Sequence, residues 1–333
     1  MENERDFPEV LRDFVSFINT GAKFIIAGHK EPDGDCVGSQ LALQSAVKRL
    51  GKEAIVCSAG PFSRTELRDY AGRFTALPPD DEKADYKVII IDCSGIYRTG
   101  DLKERLEGLP CAVIDHHSAS IQPVYKREAP VYVDSSSPSC TLLVKNLIES
   151  LGLELTGEEA SLLFFGLCTD TGFFRHLTES NSGVFQAAAQ MVSAGASPKK
   201  TFQLINGGKS LDSRILLGNI LSRIESYFGG KLLLSYETRE DFKKFSLENR
   251  DSDDLNKMLQ AAKGVEATVI IRQESDENCT VSLRSVDKID VSQIAAAFGG
   301  GGHKNASGFI TKGEIARVKI DLIDHFSKIF IIN

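Results

Sequence analysis

Three short runs, KFIIA (23–27), KVIII (87–91) and CAVI (111–114), are apolar at almost every position. A strand with one wet face alternates in polarity. A continuous apolar run suits a strand buried on both faces, the situation of a parallel sheet covered by helices. EAIVC (53–57) and VYV (131–133) complete the candidate strands, and helical stretches lie between them. SQLALQSAVKRLG carries Gly51 as a C-terminal stop. Ser137 and Pro138 read as the N-cap and first turn of another helix. Thr156 with Glu159 forms a capping box ahead of ASLLFFGLC. This alternation predicts an α/β fold with a doubly wound, mainly parallel sheet.

The pattern changes after GVFQAAAQMVSAGASP, and 333 residues leave room for two domains. The division expected is 1-195, a linker with some helix at 196-212, and a smaller α/β domain at 213-333. That domain holds a helix near 213–227, strands KLLLSY, ATVIIR and CTVSLRS, then VSQIAAAFGGGGHKNASGF and an amphipathic helix. A content of 42% hydrophobic and 26% charged residues is that of an ordinary globular protein. The acidic start MENERDFPEVLRDF has no apolar core, so no secretory signal is expected. No apolar run approaches the roughly 18 residues of a membrane span, and the cytoplasm is the expected location. A net charge of −7 argues against binding long duplex nucleic acid but permits a small anionic substrate. The seven cysteines are odd in number and lack a CxxC pair, against both a disulfide framework and a thiolate zinc site. Cys36, Cys93 and Cys168 read as small buried side chains rather than ligands.

Open parallel sheets bind ligands beyond the carboxyl ends of their strands. His29, Asp33 and Asp35 follow the first strand, Asp92 ends KVIII, and Asp115, His116 and His117 end CAVI. Asp170 follows the helix EEASLLFFGLCT. Singly, each is an ordinary turn or cap residue. Jointly, they deliver carboxylates and imidazoles to one rim. A mixed Asp/His set suits Mn²⁺ better than Mg²⁺. The set exceeds what one ion needs. Two ions roughly 3.5–4 Å apart, bridged by one carboxylate, would use it, an arrangement suited to phosphoryl chemistry.

The motif DHH (115–117), with HKEPDGD upstream, IIIDCSG between and TDTGFFRH downstream, resembles the four motifs of the DHH phosphoesterase superfamily. LRS and FGGGGHKNASG resemble its DHH-associated domain, and the two-domain length resembles the nanoRNase (NrnA-like) branch. The resemblance implies that His29 and Asp33 hold one manganese ion, that Asp35, His116 and Asp170 hold the other, and that Asp92 bridges them. Mg²⁺ or Co²⁺ would be substitutes. It implies that Asp115 orients a histidine and that His117 faces the substrate phosphate. Arg175 and Arg98 are candidate phosphate contacts, since a guanidinium fork matches phosphate oxygens. Gly300, Gly301, Gly302 and His303 would contact substrate as an anion-binding nest, with Arg284 as cationic partner. The implied active site lies in the interdomain cleft.

The implied activity is metal-dependent hydrolysis of short oligoribonucleotides, linear dinucleotides such as pApA included, to 5′-mononucleotides, and of 3′-phosphoadenosine 5′-phosphate (pAp) to AMP. The alternatives are a single-strand exonuclease, a cyclic-dinucleotide phosphodiesterase, a pyrophosphatase-like enzyme and a non-catalytic nucleotide-binding regulator. The sequence leaves the oligomeric state open, a homodimer among the options, and implies no membrane partner.

Overall fold

A computed structural model describes residues 7–117, 130–245, 250–286 and 288–330. The chain divides into two compact units, Met1–Gly208 and Lys209–Asn333.

In the first unit, β1 (Lys23–Gly28), β2 (Glu53–Cys57), β3 (Tyr86–Ile91), β4 (Cys111–Asp115) and β5 (Val131–Val133) form one sheet. The strand order is β2-β1-β3-β4-β5 and every neighbouring pair is parallel. Phe24 and Ile26 face a core shared with helices Gly34–Arg49, Cys140–Ser150 and Gly157–Asp170. Ile25 and Ala27 face a second core with Val88, Ile90 and Val113. Both faces are therefore dry, which is why these strands read as apolar throughout. In this arrangement the strand order reverses between β1 and β3, where open α/β sheets form their ligand crevice.

Helices Gly34–Arg49 and Gly157–Asp170 meet backbone to backbone. A Cβ at Gly38 would lie 2.5 Å from the Leu162 carbonyl oxygen, and one at Gly166 would lie 2.9 Å from Asp35 Cα. The absence of these two side chains brings the helix end bearing Asp170 against the helix start bearing Asp35. At the opposite end, the capping box of Thr156 and Glu159 is formed. Glu159 also accepts from Ser45 Oγ at 2.7 Å and from Arg49 at 2.7 Å.

Helix Cys140–Ser150 departs from its expected start. Its N-cap is Ser139, not Ser137, and Ser139 makes no side-chain cap bond. The carboxylate of Asp35 caps it instead, accepting from the N–H groups of Cys140 at 2.5 Å and Thr141 at 2.8 Å. A helix start satisfied by a residue over a hundred positions away leaves no local signature.

The second unit carries β6 (Glu225–Tyr227), β7 (Leu232–Glu237), β8 (Ala267–Gln273), β9 (Asn278–Ser285), β10 (Gly301–His303) and β11 (Ala306–Lys312). They are ordered β10-β11-β9-β8-β7-β6, with β7 and β8 parallel and the other pairs antiparallel. Val281, Leu283 and Phe309 pack with Ile294 and Leu322 on one face, and Leu233 and Ile270 pack with Leu216 and Leu255 on the other. The helix expected near 213–227 is Leu211–Ser222. Residues 225–227 leave it to pair with β7 across Gly229 and Gly230, both at positive φ, a turn that a continuing helix would not permit. The segment expected as a linker contains helix Pro198–Asn206, capped by Ser197. Among the described residues no helix is long and apolar enough to cross a membrane.

Glu159 is fully buried, so Arg49→Ala leaves a carboxylate in the core without its cation. A stability loss of about 2 kcal/mol is expected in urea unfolding, less than for a fully buried pair because Arg49 is partly exposed. A loss within experimental error would show that Ser45 and the Thr156 N–H suffice.

Candidate metal centre

Each strand end at the β1/β3 reversal delivers a side chain. His29 directly follows β1, and Asp33 is the N-cap of helix Gly34–Arg49, its Oδ1 accepting the Cys36 N–H at 3.1 Å. Asp92 follows β3 with φ 59°, a left-handed conformation that aspartate tolerates better than most residues. Its N–H is anchored to the Ile114 carbonyl of β4 at 2.9 Å. Asp115 ends β4, and His116 and His117 follow it. Asp170 is the last residue of its helix rather than the first beyond it.

These side chains converge. His116 Nε2 lies 3.3 Å from Asp92 Oδ1, 3.3 Å from Asp170 Oδ2 and 3.7 Å from Asp35 Oδ2. His29 Nε2 lies 3.6 Å from Asp92 Oδ2 and 3.9 Å from Asp33 Oδ1. Both imidazoles are turned by their other nitrogen, His29 Nδ1 to the Lys30 carbonyl at 2.8 Å and His116 Nδ1 to the Ser137 carbonyl at 3.2 Å. A carbonyl only accepts, so Nδ1 carries the hydrogen and a neutral ring aims the Nε2 lone pair at the carboxylates. Lone pairs facing carboxylate oxygens repel unless a proton or a cation stands between them. Histidines that bind metals are oriented in this way. The buried Oδ1 of Asp92 and Oδ2 of Asp115 also lack a hydrogen-bond partner among the described residues. The donor set therefore fits divalent cations.

Among the described residues, three groups of ligand atoms are close enough to hold an ion: Asp35, His116 and Asp170; Asp92, His116 and His117; and His29, Cys36 and Asp92. Asp33 belongs to none of the three, and Cys36, read from sequence as a core thiol, belongs to one. All seven cysteines are buried and free, and burial pushes the Cys36 thiol up to about 12.

Titration reflects the crowding. Burial opposes charge on His29, yet the facing Asp33 and Asp92 carboxylates hold its pKa far above the ordinary value. Burial also opposes His116, which Asp92, Asp35 and Asp170 nevertheless raise to about 10. Burial would raise Asp33, but His29 and the Cys36 N–H bring it to about 2. Asp35 is raised by burial and by the Asp92 and Asp170 carboxylates. Asp170 is raised to about 6 by burial and by Asp33 and Asp92.

The remaining candidates divide. Asp115 Oδ1 accepts from His117 Nδ1 at 2.7 Å and from the His117 N–H at 3.1 Å, and the His117 side chain is 52% exposed. Arg98 and Arg175 are exposed, without an ion-pair partner among the described residues. Arg284 lies on β9 opposite Ala306, with Nη1 donating to the Leu283 carbonyl at 3.0 Å. Part of the glycine run is committed within the fold. Gly299 and Gly300 donate their N–H groups to the Ala296 and Ala295 carbonyls and close helix Val291–Ala297 in a Schellman turn. Gly301, Gly302 and His303 form β10, paired with β11. The sequence reading also missed Arg64, whose charge helps hold Asp33 low. Its place in the loop after β2 carried no motif.

A sheet reversal lined with carboxylates and imidazoles suits divalent cations and the phosphoryl chemistry that a pair of them supports. The family model described as the DHH family, N-terminal domain, matches residues 23–167, and that of the DHHA1 domain matches residues 212–330. A Thermus thermophilus protein named bifunctional oligoribonuclease and PAP phosphatase NrnA is 31% identical over 86% of this chain and 84% of its own. A Listeria monocytogenes protein named cyclic-di-AMP phosphodiesterase PdeA is 25% identical over 92% of this chain and 47% of its own. The crystal structure of an exopolyphosphatase-related protein from Bacteroides fragilis, 21% identical, has the same fold, with a TM-score of 0.78 covering 100% of this chain and 99% of that one. The chain belongs to the DHH family of phosphoesterases.

Removing the cations should cost more stability at high pH. Without metal, Asp170 binds a proton in the folded chain up to about pH 6, whereas the unfolded chain releases it near 4, so stability falls as pH rises through that window. His29 and His116, raised in the fold, add stability that is fully present below about pH 6.5 and is lost as pH rises through their folded values, about 10 for His116. A chelator should therefore lower Tm more at pH 8 than at pH 5.5, read by scanning calorimetry. An equal drop at both would count against cations inside this cluster. Separately, Cys36→Ala should retain its full complement of Mn²⁺ by elemental analysis, and loss of one ion would make the thiol a ligand.

Proposed function

We propose that this chain hydrolyses short oligoribonucleotides, linear dinucleotides included, and 3′-phosphoadenosine 5′-phosphate, in each case releasing a 5′-mononucleotide. The observation that carries this reading is the disposition of Asp92, whose Oδ1 faces His116 and whose Oδ2 faces His29. One carboxylate thus serves two donor groups. His29 and Asp33 would hold one divalent ion, Asp35, His116 and Asp170 the other, with Asp92 shared. Manganese suits this mixture of imidazole and carboxylate, with Mg²⁺ or Co²⁺ as substitutes. Such a pair supplies a nucleophile near neutral pH and neutralises charge on the phosphoryl group. The similarity to a relative named for both activities supports the choice of substrates.

The residues of the chain divide the remaining work. Asp115 holds His117 by Nδ1, which leaves Nε2 to reach a phosphate oxygen. The same hydrogen bond raises the His117 pKa and so favours the form that can give up a proton. That proton goes to the 3′ oxygen as its bond to phosphorus breaks and the oxygen of water takes its place; one hydrogen of the water stays on the product phosphate and the other restores the imidazolium. In pAp and in a 5′-phosphorylated oligonucleotide, this 3′ oxygen belongs to a nucleoside that already bears a 5′ phosphate. One geometry serves both. Arg175 and Arg98 are proposed to meet phosphate oxygens, and Arg284, His303 and the glycines beside them to receive the nucleoside.

The test is a Mn²⁺ assay over pAp, pApA, RNA from dimers to long chains, single-stranded DNA, cyclic dinucleotides and pyrophosphate. Turnover should be highest for pAp and the shortest RNAs. A preference for long strands, cyclic dinucleotides or pyrophosphate would replace this reading with one of those activities. Asp92→Ala should abolish activity and release metal, because both donor groups lose a member. Arg284→Ala and His303→Ala should keep the metal but lower kcat/KM for pAp and dinucleotide together, by about 1.5–3 kcal/mol each.

A further inference from the structure

The turn after Asp170 holds an arrangement that the reaction described above leaves unexplained. Phe173 and Phe174 are consecutive non-glycine residues in the left-handed region, with φ of 59° and 70°. Strained backbone of this kind persists only where its surroundings enforce it. Phe173 donates its N–H to the Cys168 carbonyl at 2.7 Å, Phe174 donates to Thr171 Oγ1 at 3.0 Å, and His176 donates to the Thr171 carbonyl at 3.1 Å. The Phe174 ring packs on Phe164 and Phe185, and that of Phe173 on Phe202. The chain therefore doubles back and lays two side chains over Gly172. A Cβ at Gly172 would stand 2.6 Å from His176 Nε2 and 3.4 Å from Arg175 Nη2. Arg175 Nη2 lies 3.3 Å from His176 Nε2. A guanidinium cannot accept, so Arg175 donates and the imidazole accepts.

The chemistry of that partner matters. An exposed arginine samples many rotamers and surrenders them on gripping a ligand, which weakens binding. A carboxylate neighbour would order it but cancel its charge. A neutral imidazole orders it and leaves the positive charge for an anion. We propose that His176 is a positioning residue that holds the Arg175 guanidinium over Gly172 for a phosphate of the substrate. The proposal rests on the phosphate-ester reading given above.

The experiment is a double-mutant cycle on the Mn²⁺-loaded chain, with KM and kcat measured for pAp and an RNA dinucleotide and with Tm and metal content recorded for each variant. His176→Phe keeps a ring but removes the acceptor, and KM should rise about threefold to tenfold with kcat little changed. His176→Gln restores an acceptor oxygen and should recover most of that loss. In an Arg175→Ala background, His176→Phe should have no further effect, because what it positions is gone. Additive losses, an unchanged KM in His176→Phe, or no recovery in His176→Gln would overturn the positioning role and leave the hydrolase standing. A parent chain that hydrolyses neither substrate would overturn both.

Discussion

Asp33, Asp35, Asp92 and Asp170 gather around two imidazoles at the rim of a sheet whose faces are both dry. Like charges at such range cannot all stay ionised unless something positive stands among them. Much of the first unit can be understood as the means of holding this cluster together. Asp35 rests against the N–H groups that open helix Cys140–Ser150, where the positive end of the helix dipole favours an anion. Backbone carbonyls turn both imidazoles inward. Gly38 and Gly166 let two helices touch so that their acidic ends meet. Asp92 adopts a conformation that most residues avoid.

The strands and the rim were legible because burial on both faces leaves a plain signature, and because aspartate and histidine just past a strand end have few other reasons to recur together. What was hidden depends on partners distant in sequence. Ser137 looked like a helix cap, but the capping group comes from Asp35, on a neighbouring helix of the same sheet face. Its actual service, a carbonyl that turns His116, uses backbone that every residue carries. The glycine run suggested a nest because glycine permits one. Two of its N–H groups were already committed to the preceding helix, an engagement visible only once the helix end is placed.

The second unit hid a different kind of interior. Glu237 is buried at 1% exposure and receives Arg250 through Nε and Nη2, with Arg272 Nε at 3.4 Å. Arg250 also reaches Glu274, which accepts from Thr280. Sequence patterning places such residues on a solvated surface. Here helices Leu211–Ser222 and Ser252–Gln260 cover them, and mutual pairing meets much of the cost of desolvation.

The hairpin of β10 and β11 limits how this chain can diversify. A Cβ at Gly300 would stand 2.3 Å from the Gly308 carbonyl oxygen, and one at Gly302 would stand 2.6 Å from that of Ala306. No side chain fits at either position without displacing backbone. A lineage descended from this chain could not diversify by decorating those two positions. Adaptation would fall instead on neighbours that meet solvent, such as Ile310, which is 71% exposed, and Lys312 two residues along the same strand. The glycines act as a fixed floor, and novelty has to enter from its margins.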